Sequence, residues 1–172
     1  MLLAMALEKT LYTIGYEGSR VEDFVLTLQD AGIHTLLDVR EMPLSRKKGF
    51  SKSILKATLE ANGIRYVHLR GLGDPKAGRE AARAGDYRLF RRIFGQHMTT
   101  PYAQTDLHVA AEMARKAPVC LMCFEHNHCE CHRSIVANHL LELTGMQVHN
   151  LTVDTGISLH GQPFIIPNHL AA

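Results

Sequence analysis

Two hydrophobic rhythms alternate along the chain. Leu11–Gly15, Thr35–Val39, Ile64–Leu69, Pro118–Phe124 and Val148–Leu151 are short apolar runs, the form taken by strands covered on both faces. Between them apolar residues fall three and four apart, the spacing of one helical face. Val21, Phe24, Val25 and Leu28 share such a face on a helix that Ser19 can cap and Gly32 can end. Ser51 or Ser53 opens a second helix that stops at Gly63. Two more are predicted from about Tyr87 to His97 and from about Ala103 to Lys116, with Pro101 between them. A last helix runs from Ser134 to Leu143 and ends at Gly145. Strand and helix in repetition predict an α/β fold: a single domain with a roughly five-stranded, mostly parallel sheet and helices on both faces.

Two stretches break the rhythm. Arg70 to Asp86 holds four glycines, one proline and several charges, with weak helical character around Glu80 to Arg83. Loops of that length tend to serve as functional lids or to be disordered. After Thr152, Ile157–Leu159 and Phe164–Ile166 flank His160-Gly161-Gln162-Pro163, which reads as a small hairpin or as an arm crossing to a second subunit of a homodimer. The expected organisation is an N-terminal extension (1–10), the α/β domain (11–151) and a C-terminal tail (152–172). A length of 172 residues suits one domain.

Charge narrows the partners. A formal net charge of +2 with 21% charged residues gives no global basic field, so any polyanion must meet a local patch. Uncharged apolar stretches fall far short of a membrane span, and Met1 to Leu7 is too short and lacks the basic start of a signal peptide. A cytoplasmic protein without membrane contact is expected. Four cysteines crowded together do not form a disulfide framework, and a reducing compartment fits them better.

That crowding marks the first candidate site. Cys120 to Arg133 contains all four cysteines and three of the eleven histidines, on a predicted strand-to-helix loop. Such loops bring ligands to free helix N–H groups and a positive dipole end. Three readings compete. Cys123, Cys129 and Cys131 with His126, His128 or His132 could hold zinc or iron, although their C-x5-C-x-C spacing matches no paired zinc pattern. Alternatively, Cys123 or Cys131 is a nucleophile favoured by the helix start, Arg133 and a histidine, with Glu125 as acid or base if burial raises its pKa. The third reading is plain packing, favoured for Cys120 inside the strand. His126-Asn127-His128 lacks the surroundings of a nuclease signature. Arg133 near the helix start suits a phosphate-like anion, and also fits a solvated first turn.

Further candidates stand at the other strand ends, which a parallel sheet gathers on one edge. They are Tyr16-Glu17-Gly18, then Asp38 and Arg40 with Pro43 and Ser45, then His68 with Gly71-Leu72-Gly73. Asp38 and Arg40 lie two residues apart on one side of a strand, so they either pair or both face the cleft. Arg46, Lys47, Lys48, Lys52 and Lys56 form a basic stretch around Phe50. Such a stretch could hold a phosphodiester backbone and stack a base, or simply be a solvated turn; Arg88, Arg91 and Arg92 add charge further on.

Thr13-Ile-Gly-Tyr-Glu-Gly18, Leu36-Leu-Asp-Val-Arg-Glu-Met-Pro-Leu-Ser-Arg-Lys-Lys-Gly-Phe50, Tyr66-Val-His-Leu69 with Leu72-Gly73, and Cys123-x-Glu125 followed by Cys131-His132-Arg133 together resemble the domain of unknown function 488 family, from about Leu11 to Asn150. The resemblance implies a single α/β domain of a bacterial or archaeal cytoplasmic protein and brings no activity with it. It selects Tyr16, Asp38, Arg40, Pro43, Ser45, Phe50, His68, Cys123, Glu125, Cys131, His132 and Arg133 as motif positions and leaves out Cys129, His126 and His128, which counts against metal. The chain departs from the family pattern at Arg70, where a proline is typical, and at Gly73-Asp74, where two glycines are typical.

The expectation is an enzyme acting on a phosphate-bearing substrate, nucleotide or nucleic acid. Arg40 and Arg133 would clamp the anion. Glu125 and Asp38 would do acid/base work, with His68 beside them and Cys123 or Cys131 as nucleophile or positioning group. Tyr16, Ser45, Phe50 and His132 would contact the substrate. No cofactor follows and no metal ligand is assigned. The alternatives are a noncatalytic nucleic-acid or partner-binding module using the basic loop, and a Cys/His metal-binding or redox-sensing protein.

Overall fold

The computed structural model describes residues 9–167. The expected N-terminal extension lies outside them except for Lys9 and Thr10, as do residues 168–172 of the tail. Five strands, β1 (Thr10–Gly15), β2 (Thr35–Asp38), β3 (Arg65–His68), β4 (Val119–Cys123) and β5 (Gln147–Leu151), form one sheet in the order β3-β2-β4-β1-β5. Every pairing is parallel. Six helices connect them: α1 (Val21–Asp30), α2 (Lys52–Ala61), α3 (Lys76–Arg83), α4 (Tyr87–Met98), α5 (Pro101–Lys116) and α6 (His132–Thr144).

Each face of the sheet carries its own core. Phe24, Val25 and Leu28 of α1 and Leu55 and Leu59 of α2 pack with Ile14, Leu36, Cys120 and Met122 on one side. Phe90 and Phe94 of α4, Leu107 and Ala110 of α5 and Val136 and Leu140 of α6 pack with Leu11, Leu37 and Leu121 on the other. Strand residues alternate between the two faces because successive side chains point opposite ways, and the all-buried run Val119–Cys123 reflects cover on both.

This topology places β4 between two strands whose connections leave it. The chain after β1 and after β2 turns to the α1/α2 face, whereas the chain after β4 turns to the α6 face. Loops diverging from neighbouring strands open a crevice at their carboxyl ends, where open α/β sheets bind ligands. The end of β4 is therefore the geometric centre of the functional edge.

Helix starts shift slightly from the expected ones. Arg20, not Ser19, is the N-cap of α1, and the Ser19 hydroxyl donates to the Tyr16 carbonyl at 2.6 Å. Pro101 is not a break but the first residue of α5, where its missing N–H costs nothing, with the Thr100 hydroxyl accepting from the Ala103 N–H. Helix α6 begins at His132, two residues before the expected Ser134, with the Cys131 sulfur in the capping position. The glycine-rich stretch contains a full helix, α3, after a 3-10 turn at Arg70–Leu72.

Through residue 167 the tail forms no strand pair where a hairpin was one expectation. It forms a 3-10 turn at Ile157–His160 and lies on its own chain. Asp23 accepts from the Gly156 and Ser158 N–H groups, both at 3.0 Å. Asn62 meets both backbone groups of Ile165, accepting at 2.9 Å and donating at 2.8 Å, in place of a second strand. Among the described residues no helix is long and apolar enough to cross a membrane.

Candidate functional site

The loop after β4 is pinned from three sides. Parallel pairing of Gly15 with Cys123 continues past the strand ends, with the Tyr16 N–H donating to the Cys123 carbonyl at 3.3 Å and the Glu17 N–H to the Phe124 carbonyl at 2.8 Å. The next peptide drops onto Gly15, where a Cβ would stand 1.8 Å from the Glu125 oxygen. Arg133 then closes the loop. Its Nη1 donates to the Glu125 carbonyl at 2.5 Å, its Nη2 to that of His126 at 3.2 Å and its Nε to the Thr13 hydroxyl at 3.3 Å. At 1% exposure this guanidinium faces inward, so Arg133 does not present the expected anion clamp. Its charge is spent on backbone carbonyls of the loop that carries the site.

Three consecutive residues thus take three tasks. Cys131 caps α6, its sulfur accepting from the Arg133 N–H at 3.5 Å, Arg133 grips the loop, and His132 between them turns towards the sulfurs. The His132 Nε2–H donates to the Val39 carbonyl at 2.7 Å, which leaves Nδ1 facing Cys123 Sγ at 3.6 Å and Cys131 Sγ at 3.9 Å. The Phe94 ring meets the imidazole edge at a centroid distance of 5.2 Å. The Cys123 thiol donates to Glu125 Oε2 at 3.2 Å. Two sulfurs, an imidazole and a carboxylate therefore converge.

The electrostatics divide the two thiols. A hydrogen bond with Cys131, together with burial, pushes Cys123 well above the ordinary thiol range. Burial also opposes ionisation of Cys131. The hydrogen bond from Cys123 and the charges of His132 and Arg133 outweigh it and hold Cys131 well below that range. Burial works against the His132 cation, but the Cys131 thiolate beside it raises it to about 9. Glu125 is pushed up to about 7 by burial and by the same thiolate. The cluster stores one thiolate–imidazolium pair beside a carboxyl that titrates near neutrality.

Cys123, Glu125 and His132 line one side of a cleft of about 1400 Å³, with Tyr16, Arg40, Ser45 and residues of α3 around it. Other expected residues form a second group under that wall. Arg40 takes Asp38 in a fork, Nε to Oδ1 at 2.9 Å and Nη2 to Oδ2 at 2.6 Å, and its Nη1 donates to the Tyr16 hydroxyl at 3.0 Å and the Phe50 carbonyl at 2.8 Å. Tyr66 donates to Asp38 Oδ2 at 2.6 Å. Asp38 is fully buried with every direction filled, so the pairing alternative holds and the carboxylate does not reach the cleft for acid/base work. Phe50 is likewise fully buried, stacked on Tyr16 at 4.3 Å, and does not offer its ring to a base. His68 stands apart, its Nε2 on the Arg40 carbonyl at 2.8 Å and its Nδ1 on the Lys52 ammonium at 3.2 Å. Ser45 lies at the rim, its hydroxyl accepting from the Lys47 N–H.

Asp74 is the residue that sequence reading missed. It lines the cleft at 5% exposure, its Oδ1 meets no protein donor among the described residues, and burial raises its carboxyl to about 6 against the opposing charges of His132 and Arg79. The signal was Gly78, a glycine within helix α3, where a Cβ would stand 2.0 Å from that oxygen. A helix accepts so unfavourable a residue where something must pass close by. Arg79 braces the same corner by pairing with Glu41. Around the mouth, Arg46, Lys47 and Arg83 have no carboxylate partner among the described residues, while Lys76 has a loose one in Glu80 at 3.8 Å.

Fold and site together define a single-domain α/β protein with a thiol, imidazole and carboxylate centre at the switch point of an all-parallel sheet. The family model called domain of unknown function DUF488 matches residues 20–140, and the chain belongs to that family. Neither a curated protein nor a solved structure gives a significant match.

Proposed function

We propose that the chain is an enzyme acting on a phosphate-bearing substrate in this cleft. The observation that carries the reading is the convergence of Cys123, Glu125 and His132 on the cleft wall at the end of β4, with Cys131 buried behind His132, beneath a rim holding Arg46, Lys47, Lys76 and Arg83. The rim cations draw an anion into a cleft large enough for a nucleotide. The sulfur and imidazole centre meets the electrophilic atom, and Glu125 takes or returns the proton. Tyr16 and Arg40 shape the opposite wall rather than carry charge to the substrate, because Arg40 is held by Asp38.

The test is a turnover screen of the purified full-length chain against phosphate monoesters, diesters and nucleotides. Turnover of at least one is expected, falling by about 100-fold or more in Glu125→Gln. Replacing Arg46 and Lys47 together by Ala should raise KM while sparing kcat. A panel without turnover, or a rate indifferent to Glu125→Gln, overturns the reading.

A further inference from the structure

We infer that Cys123, Cys131 and His132 form a zinc site whose fourth position opens on the cleft. Around a tetrahedral zinc, with Zn–S of about 2.3 Å and Zn–N of about 2.0–2.1 Å, neighbouring sulfur and nitrogen ligands stand roughly 3.6 Å apart and two sulfurs roughly 3.8 Å. Here Nδ1 of His132 lies 3.6 Å from one sulfur and 3.9 Å from the other, and all three ligand atoms lie within 4.8 Å of one another. The imidazole nitrogen at the start of α6 thus already stands at ligand spacing from both sulfurs, and the sulfurs lie close enough for a small closing movement to complete the set.

The surroundings fit the same ion. A ligating histidine usually donates its other N–H to a carboxylate or carbonyl, which fixes the tautomer; His132 does this with the Val39 carbonyl at 2.7 Å. The Arg133 N–H bonds to the Cys131 sulfur, as backbone donors do for a metal-bound thiolate. Phe94 covers the imidazole from the core side. Two thiolates and an imidazole favour zinc over magnesium or calcium, whose ligands are oxygens. On binding, two protons leave, one from the Cys123 thiol now directed at Glu125 and one from Nδ1 of the His132 imidazolium, to the Glu125 carboxylate or to solvent.

Three protein ligands leave one position for water or a substrate oxygen, the pattern of catalytic rather than structural zinc. Cys123 and His132 line the cleft with Glu125 beside them, so that position faces the substrate. Cys129 is exposed and its sulfur lies beside His128, outside the set. The paired spacings of zinc fingers are absent because the third ligand immediately follows the second in sequence. Ion binding stands on this geometry alone; its place in turnover rests on the proposed enzymatic reading.

The experiment uses the untagged full-length chain, stripped with chelator and titrated with Co²⁺ and then Zn²⁺. One cobalt per chain is expected, with a thiolate-to-cobalt charge-transfer band and strong tetrahedral visible bands that zinc abolishes. Zinc should protect Cys123 and Cys131 from iodoacetamide, read peptide by peptide, while Cys129 stays reactive. Cys123→Ser or Cys131→Ser should weaken zinc binding by more than about 100-fold, beyond the loss typical of an outer-shell partner, and Cys129→Ser should leave it unchanged. A cobalt complex without the thiolate band, or alkylation of Cys123 and Cys131 at the same rate with and without zinc, overturns the site even if the serine variants misfold. Turnover without zinc binding removes the ion and keeps the enzyme, and zinc binding without turnover does the reverse.

Discussion

Arg40 holds Asp38 in a two-bond fork inside the protein, with side-chain exposures of 6% and 0%. The fork is the hub of the wall beside the cleft. Through it, Tyr66 of β3, the Tyr16 hydroxyl and the Phe50 carbonyl are tied to the end of β2. A buried charge pair with all partners in place contributes little net stability over an apolar pair, but its loss on one side strands the other charge.

Arg40→Ala should therefore cost about 3–5 kcal/mol, whereas replacing Asp38 and Arg40 together by apolar residues should cost distinctly less. Urea unfolding of the three proteins measures it. Equal losses for the single and the double variant would show that packing, not the stranded carboxylate, sets the cost.

Gly15→Ala places a methyl 1.8 Å from the Glu125 oxygen and drives the loop off the Arg133 grip. A loss of about 1–3 kcal/mol, as for overpacked cores, is expected together with a disturbed cleft wall. Gly95→Ala in α4 is the matched control. Nothing lies within 4 Å of its Cβ, so the helix should gain roughly 0.5–1 kcal/mol. Melting temperatures moving in opposite directions would bear out both; a fall in each would contradict the space found at Gly95.

The strands and most helices were legible because buried strands read as apolar runs and half-buried helices as one-sided stripes. Cys123, Glu125, Cys131 and His132 were legible because they follow a strand and open a helix. What pattern did not reveal was direction. Asp38, Phe50 and Arg133 stand at the same edge, yet each points into the protein, and period or motif does not distinguish a charge turned inward onto a carbonyl from one turned outward onto a ligand. Asp74 was hidden for the opposite reason: it lies in a glycine-rich stretch without periodicity, and only contact with Gly78 explains both residues.

Asp23 offers a pH test away from the site. Burial raises its carboxyl, but contacts from Ser158 and the Gly156 and Ser158 N–H groups, with the charge of Arg20, leave it lowered below 3.8. A depressed carboxyl stabilises the fold above its unfolded pKa, and that contribution is lost as pH falls through the folded value. Asp23→Asn, which gives up one of the two N–H bonds, should cost about 1–2 kcal/mol at pH 7. The difference should shrink below about pH 4. A gap that stays constant down to pH 2.5 would show that the charge is not what holds the tail.

Asp74 should behave in the opposite sense. Its folded carboxyl is raised to about 6 from 3.8, so the stability it contributes is fully present below the unfolded value and is lost as pH rises through about 6. Asp74→Asn removes the buried negative charge while keeping the size of the side chain. The variant and the native protein should therefore be equally stable near pH 4, and above pH 6 the variant should be the more stable by about 1–3 kcal/mol. The native residue is retained at that cost if its Oδ1, with no protein donor among the described residues, serves the cleft. A site that needs this acceptor will lose turnover in the variant even as the fold gains, the usual opposition between stability and activity. Denaturation curves at pH 4 and pH 7, paired with the turnover assay, decide it: a variant destabilised at pH 7 would show that Asp74 is paired, and one with full activity would show that it serves packing alone.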